Sequence, residues 1–234
     1  MKKLYASAII AVLLAGGVQA DLIARWDNDL LAGNNAGPIA ANNLGVNVDS
    51  AALARGAGAT TTSFTNTFAM RNATNTTLAG AIAGSRNFTM TLTAESGYQI
   101  NLTNVFIRLS AINADPVGRA VFFTLRSDLT GSTDLDTYTV GGTGVTGSSL
   151  GPTFNTDLSS YSSLQGISSV TFSLYVWTEW SGKGAFDQVG IGRNNQVNGT
   201  DDLVFTGSVV PEPATFAFMG LGALVLFVRR RLLK

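Results

Sequence analysis

The chain has no cysteine and no histidine among its 234 residues. Without cysteine there is no disulfide framework, so the fold has to stand on its hydrophobic core. The double absence also excludes the Ser-His-Asp triad, the thiol nucleophile, zinc held by His or Cys, and c-type haem attachment. Carboxylate chemistry, hard-cation binding through oxygen and non-catalytic binding remain. Charge is scarce as well. Between residues 21 and 210 nine basic residues face 14 acidic ones, and Lys183 is the one lysine there. A body about five charges negative lacks the basic patch that nucleic acid or an anionic surface needs as a partner. Glutamate is nearly missing, with Glu95 and Glu179 the two in that span. Paired-carboxylate catalysis needs two acids about 5 to 9.5 Å apart in a cleft, and nothing in the spacing of these two brings them together. A carboxylate-dependent glycoside hydrolase or lyase is therefore the alternative to a non-enzymatic protein.

Long apolar runs are confined to the two ends. Met1-Lys2-Lys3 is a short basic start, Leu4 to Gly17 is apolar, and Val18-Gln19-Ala20 places small residues before Asp21. This pattern predicts a secretory signal helix over residues 1–20, removed on export. Gly16, Gly17 and the small residues before Asp21 argue against an uncleaved anchor. At the other end, Val210-Pro211-Glu212-Pro213 leads into an uncharged run from Ala214 to Val228, followed by Arg229, Arg230, Arg231 and a terminal Lys234. As a helix that run spans roughly 22 Å, short of a bilayer core of about 30 Å, which suits transient insertion into the inner membrane better than a permanent span. The arginines set the orientation, with the tail in the cytoplasm and the body outside. Pro211 and Pro213 fix φ and remove two backbone donors, which keeps the segment before the helix extended and accessible to an enzyme. The simpler alternative is an ordinary C-terminal anchor whose two prolines merely stop a helix.

Val210-Pro211-Glu212-Pro213-Ala214-Thr215, the glycine-containing apolar run and the arginine cluster, in that order and position, resemble the bacterial PEP-CTERM sorting signal. The resemblance implies handling by exosortase, a membrane cysteine transpeptidase of bacteria that make extracellular polysaccharide. It implies delivery to the cell surface or extracellular matrix and names no activity. It covers about a tenth of the chain. The expected organisation is a signal peptide over 1–20, an extracellular domain over 21–209 and a sorting segment over 210–234 with its membrane helix at 214–228.

The body between the two ends is long enough for one well-cored domain. Phe88, Met90 and Leu92 alternate with threonines; Val105, Ile107 and Leu109 alternate with Phe106 and Arg108; Val121, Phe123 and Leu125 alternate with Phe122, Thr124 and Arg126. Period-two runs rich in β-branched and aromatic residues predict half-buried strands. Further strands are expected over 170–177, 186–191 and 203–210, and no stretch of the body sustains a helical period. Ala32 to Thr62 reads as loop, with a short strand at Leu44 to Val48 and a helical turn at Asp49 to Leu53 capped by Asp49 or Ser50. The glycine-rich stretch from Thr139 to Thr153 reads as a loop between two halves of one domain. The expected fold is all-β, an antiparallel two-sheet sandwich wound as a jelly roll. Tyr98 to Leu109, Arg126-Ser127-Asp128, Val170 to Trp177 and Ala185 to Gly190 also resemble recurring strands of PEP-CTERM extracellular domains. That similarity implies a sandwich like galactose-binding or lectin-like modules. Gln188 departs from the acidic residue or Asn expected after Asp187.

Strict alternation from Thr171 onward puts Phe172, Leu174 and Val176 on one face and Ser173, Tyr175, Trp177 and Glu179 on the other. If the aliphatic set faces the core, Tyr175, Trp177 and Glu179 form a candidate glycan platform, two rings and an acceptor for sugar hydroxyls. The competing reading is plain packing of Tyr and Trp under loops. Trp180 falls on the opposite parity. Asp27 with Asp29, Asp134 with Asp136, and Asp201 with Asp202 supply the hard oxygens a structural calcium takes, without the EF-hand spacing; loop aspartates also serve turns and caps. Asn-x-Thr triplets begin at Asn72, Asn75, Asn87, Asn101 and Asn198, and no role is assigned to them. The function expected is that of an exported, surface-sorted, non-enzymatic envelope or matrix protein, with glycan binding or a purely structural role as its possible content.

Overall fold

The computed structural model describes residues 21–28, 37–62, 66–71, 76–112, 120–141, 148–149, 152–178, 188–192 and 201–212. The two end segments expected to be helices, residues 1–20 and 213–234, lie outside them. Among the described residues no helix is long and apolar enough to cross a membrane.

The described residues form strands β1 Asp21–Trp26, β2 Ile39–Ala40, β3 Asn43–Leu44, β4 Val48–Arg55, β5 Thr60–Thr61, β6 Thr67–Arg71, β7 Asn87–Ala94 and β8 Tyr98–Ile112. They continue as β9 Ala120–Ser127, β10 Asp136–Gly141, β11 Ser148–Ser149, β12 Thr153–Asp157, β13 Ser169–Thr178, β14 Gln188–Gly192 and β15 Leu203–Pro211. All pairings are antiparallel, in two sheets. The larger runs β3-β1-β15-β8-β14-β6-β5, with β11 and β12 also paired to β8; the smaller runs β10-β9-β13-β7-β4-β2. β8, 15 residues long, is the spine of the larger sheet. β15 and then β14 pair along one side of it, β12 and β11 along the other.

The expected alternation holds in the central strands. Phe88, Met90 and Leu92 of β7, Phe123 and Leu125 of β9, and Phe172, Leu174 and Val176 of β13 are buried; so are Val105, Ile107 and Leu109 of β8 and Leu203 and Phe205 of β15. The core lies between the sheets, where Phe172 of one meets Phe205 of the other at 5.0 Å between ring centroids. Burying each such side chain is worth about 1.5–3 kcal/mol. Along β8 the buried set changes parity, from Ile100 and Leu102 to Val105, Ile107 and Leu109. The register explains this, because Gly207 stands opposite Leu102 while Thr206 stands opposite Asn104, leaving Thr103 as the extra residue of a bulge.

Four expectations need correction. Asp49 to Leu53 is strand, the middle of β4, with no helical turn. The register slips between Val48 and Ser50, so burial passes from Val48 to Ala51 and Leu53 and the two-residue alternation is broken at its start. The stretch from Ala32 to Thr62 carries β2, β4 and β5 besides β3, and the strand expected at Leu44 to Val48 is present at its two ends, Leu44 closing β3 and Val48 opening β4. One short helix, α1 at Leu78–Ala83, is present, capped by the Thr77 side chain accepting from the Gly80 N–H. At the glycine-rich stretch, strands from before and after it interleave: β15 lies between β1 and β8, and β13 between β9 and β7.

Asp21 stands opposite Gly207 in the ladder of β1 and β15. The start of the body and its carboxyl end therefore emerge at the same end of the larger sheet.

Candidate functional site

The outer face of the smaller sheet is the side of β13 turned away from the core. Tyr175 and Trp177 are there, both half-buried, as parity predicts. Glu179 and Trp180 lie outside the described residues. Tyr175 has Thr124 opposite it on β9 and Asn87 on β7, and Trp177 has Phe122 opposite. The Trp177 and Phe122 rings stack, with centroids 4.3 Å apart and planes 19° from parallel. The Trp177 indole N–H donates to Thr124 Oγ1 at 3.1 Å. One ring face and the indole donor are thus engaged within the protein, while the Tyr175 hydroxyl has no hydrogen-bond partner among the described residues. From here hydroxyls run down the sheet in cross-strand pairs: Thr124 with Thr137 at 3.2 Å, Thr91 with Thr171 at 3.1 Å and Thr93 with Ser169 at 3.4 Å. Each pair shares one proton, which leaves one donor in the Thr124–Thr137 and Thr91–Thr171 pairs, whereas the Ser169 hydroxyl already donates to Leu92 O at 3.0 Å. The charged groups beside these rows are Arg126, opposite Ser173 and paired with Asp134, and the exposed Asp128, whose carboxylate accepts from the Thr171 N–H at 3.0 Å. A surface of hydroxyl pairs edged by aromatic rings, with a carboxylate at one end, offers donors and acceptors to a polyhydroxylated polymer.

The aspartates are brought together in one case. β1 ends beside the start of β15, so Asp27 and Asn28 meet Asp201 and Asp202 across the whole length of the body. Asp202 is fully buried. Its Oδ2 accepts from the Asn28 N–H at 2.9 Å, and its Oδ1 lies 3.7 Å from Arg108 Nε in an ion pair. The Asp202 N–H donates to Trp26 O, and the Asp202 carbonyl accepts from the Arg108 N–H. The Asn28 side-chain amide donates to Ile191 O at 3.0 Å. A guanidinium beside a buried carboxylate supplies the countercharge that a cation would otherwise bring, and this cluster ties β1, β8, β14 and β15 together. Asp201 pairs with Arg25 at the surface. Asp134 pairs with Arg126, and Asp136 accepts from Thr156 Oγ1 at 2.7 Å. Asp29 lies outside the described residues, and among those described no group of three acids is placed to hold a metal. Glu95 sits beside the turn between β7 and β8.

At the carboxyl end, β15 runs on through Pro211, past the 209/210 boundary drawn from the sequence. Val209, Val210 and Pro211 stand opposite Ile100, Gln99 and Tyr98, and the Glu212 N–H donates to Gly97 O at 2.9 Å. The segment is extended, as its prolines require, but half-buried and laced to β8. That pairing had no signal in the sequence. Pro213 and Arg229 to Arg231 lie outside the described residues.

No curated protein and no solved structure matches the chain. Residues 209–231 match the family model of the PEP-CTERM protein-sorting motif. The chain thus carries a PEP-CTERM sorting motif, which implies processing by exosortase, export and sorting to the cell surface.

Proposed function

We propose that this is a non-enzymatic protein of the cell envelope or extracellular polysaccharide matrix, anchored in the inner membrane transiently through residues 214–228. The sorting motif at 209–231 carries this reading. The missing cysteine and histidine support its non-enzymatic part, as does the position of Glu95 beside a turn. The order β1-β15-β8-β12 opposite β7-β13-β9-β10 supports a jelly-roll winding, with β2 to β6 and β14 as additions. We further propose that the outer face of the smaller sheet contacts neutral glycan, through Tyr175, the exposed edge of Trp177 and the adjoining hydroxyl rows.

Retention on immobilised neutral polysaccharide, with an acidic polysaccharide as control, tests the glycan part. The wild type is expected to be retained on the neutral polymer, and Tyr175→Ala to elute early while keeping its unfolding midpoint. A wild type that elutes with the void removes glycan binding and leaves a purely structural matrix protein, which the stacking of Trp177 on Phe122 favours.

A further inference from the structure

The sorting motif begins at residue 209, inside the last strand of the sandwich. Up to Gly207, β15 has β1 on one side and β8 on the other, but β1 begins at Asp21, opposite Gly207. Among the described residues, Ser208 to Pro211 therefore extend past β1 and are held by β8 alone, opposite Asn101 to Tyr98. Hydrogen-bond directions along β8 show how. The Tyr98 N–H donates to Glu95 O and the Ile100 N–H to Ile167 O, both away from β15. In an antiparallel ladder the residues opposite, Pro211 and Val209, then also turn their backbone groups away from β8, while Ser208, Val210 and Glu212 face it. Proline has no N–H to give, and its place here is on the side where the ladder needs none.

An enzyme that breaks a peptide bond has to surround the backbone it cuts. Here one edge of the motif is occupied by a resident strand, and Glu212 is fastened to the turn at Gly97 with no spacer before Pro213. We propose that the fold holds its sorting motif in reserve: Tyr98 to Asn101 act as a built-in competitor, and exosortase acts on the motif only after Ser208 to Glu212 have peeled from β8. Peeling stops at Gly207, where β1 and the bulge secure the strand, so the sandwich stays folded while its last residues open. This rests on the sorting reading and adds a gate to it.

The chain has no cysteine, so one designed disulfide is unambiguous. Ile100 and Val209 are directly opposite in a non-hydrogen-bonded pair, where Cα atoms about 4.5 Å apart fall in the range a disulfide spans. The full-length chain carrying Ile100→Cys and Val209→Cys is presented, oxidised or reduced, to membranes containing exosortase, and precursor conversion is followed by intact mass. The oxidised form is expected to be processed at least about tenfold more slowly than the reduced form, the factor given by about 1.4 kcal/mol of added opening cost. Equal rates overturn the gate and leave the sorting reading intact. No conversion of the wild type sinks both. Gln99→Pro gives a second reading that leaves the motif untouched: it removes a β8 donor facing Val210, and processing is expected to quicken. An unchanged or slower rate overturns the gate.

Discussion

Asn28 and Asp202, 174 residues apart, are joined by a 2.9 Å hydrogen bond from the backbone N–H of one to the carboxylate of the other, both side chains buried. Removing the carboxylate leaves Arg108, whose side chain is 12% exposed, without its counter-ion, and leaves the Asn28 N–H without its acceptor. Asp202→Ala is expected to cost about 3–5 kcal/mol, read as a lower urea midpoint. Asp201→Ala, at the surface pair with Arg25, is expected to cost under about 1 kcal/mol. Equal losses would show that Asp202 is not the lock described above.

The Trp177–Phe122 stack should be measurable as coupling. In a double-mutant cycle of Trp177→Ala and Phe122→Ala, the interaction is expected at about 0.5–1.5 kcal/mol. Trp177→Phe, which keeps a ring and loses the bond to Thr124, should cost about 1 kcal/mol. Additive single losses would mean that the two rings do not support each other.

Gly207 has little room. A Cβ built there would lie 2.0 Å from the backbone oxygen of Asn101, at the bulge between β15 and β8. Gly207→Ala is expected to destabilise by about 1–3 kcal/mol. Gly37→Ala, where a Cβ would meet nothing within 4 Å, should stay within about 0.5 kcal/mol of wild type.

Burial raises the pKa of the Tyr138 hydroxyl, which hydrogen-bonds Thr156 beside Asp136. Its folded-state value lies above the unfolded value of 10.0. The native state therefore keeps this proton when the unfolded chain has lost it, and stability falls as pH rises above about 10. Tyr138→Phe should flatten that alkaline decline in denaturant titrations at successive pH values. An unchanged slope would assign the decline to other groups.

The alternation that made β7, β9 and β13 legible works because none of these strands carries an extra residue of its own, so their buried apolar side chains fall on every second residue. β4 was misread because Asp49 and Ser50 look like helix caps and its slip after Val48 breaks the two-residue alternation, in an alanine-rich stretch that suits either structure. α1 was invisible for a different reason: six residues with Gly80 inside them cannot establish a 3.6-residue period. The candidate face at Tyr175 and Trp177 followed from parity alone. The partners that limit it, Phe122 and Thr124, are neighbours only through strand order, which no local pattern encodes. Likewise, adjacent aspartates suggested cation ligands, whereas the basic partners Arg25, Arg108 and Arg126 are supplied by the fold.

Asp21 beside Gly207 gives the sandwich a polarity. Strands of facing sheets run within about 30° of one another, so the end of the sandwich that carries Glu212 is also the end that carries the turn at Gly97. The Asn28–Asp202 clasp lies toward the opposite end, level with Arg108 of β8. The threonine rows of β7 and β13 climb between them, presented sideways to whatever fills the space between neighbouring molecules.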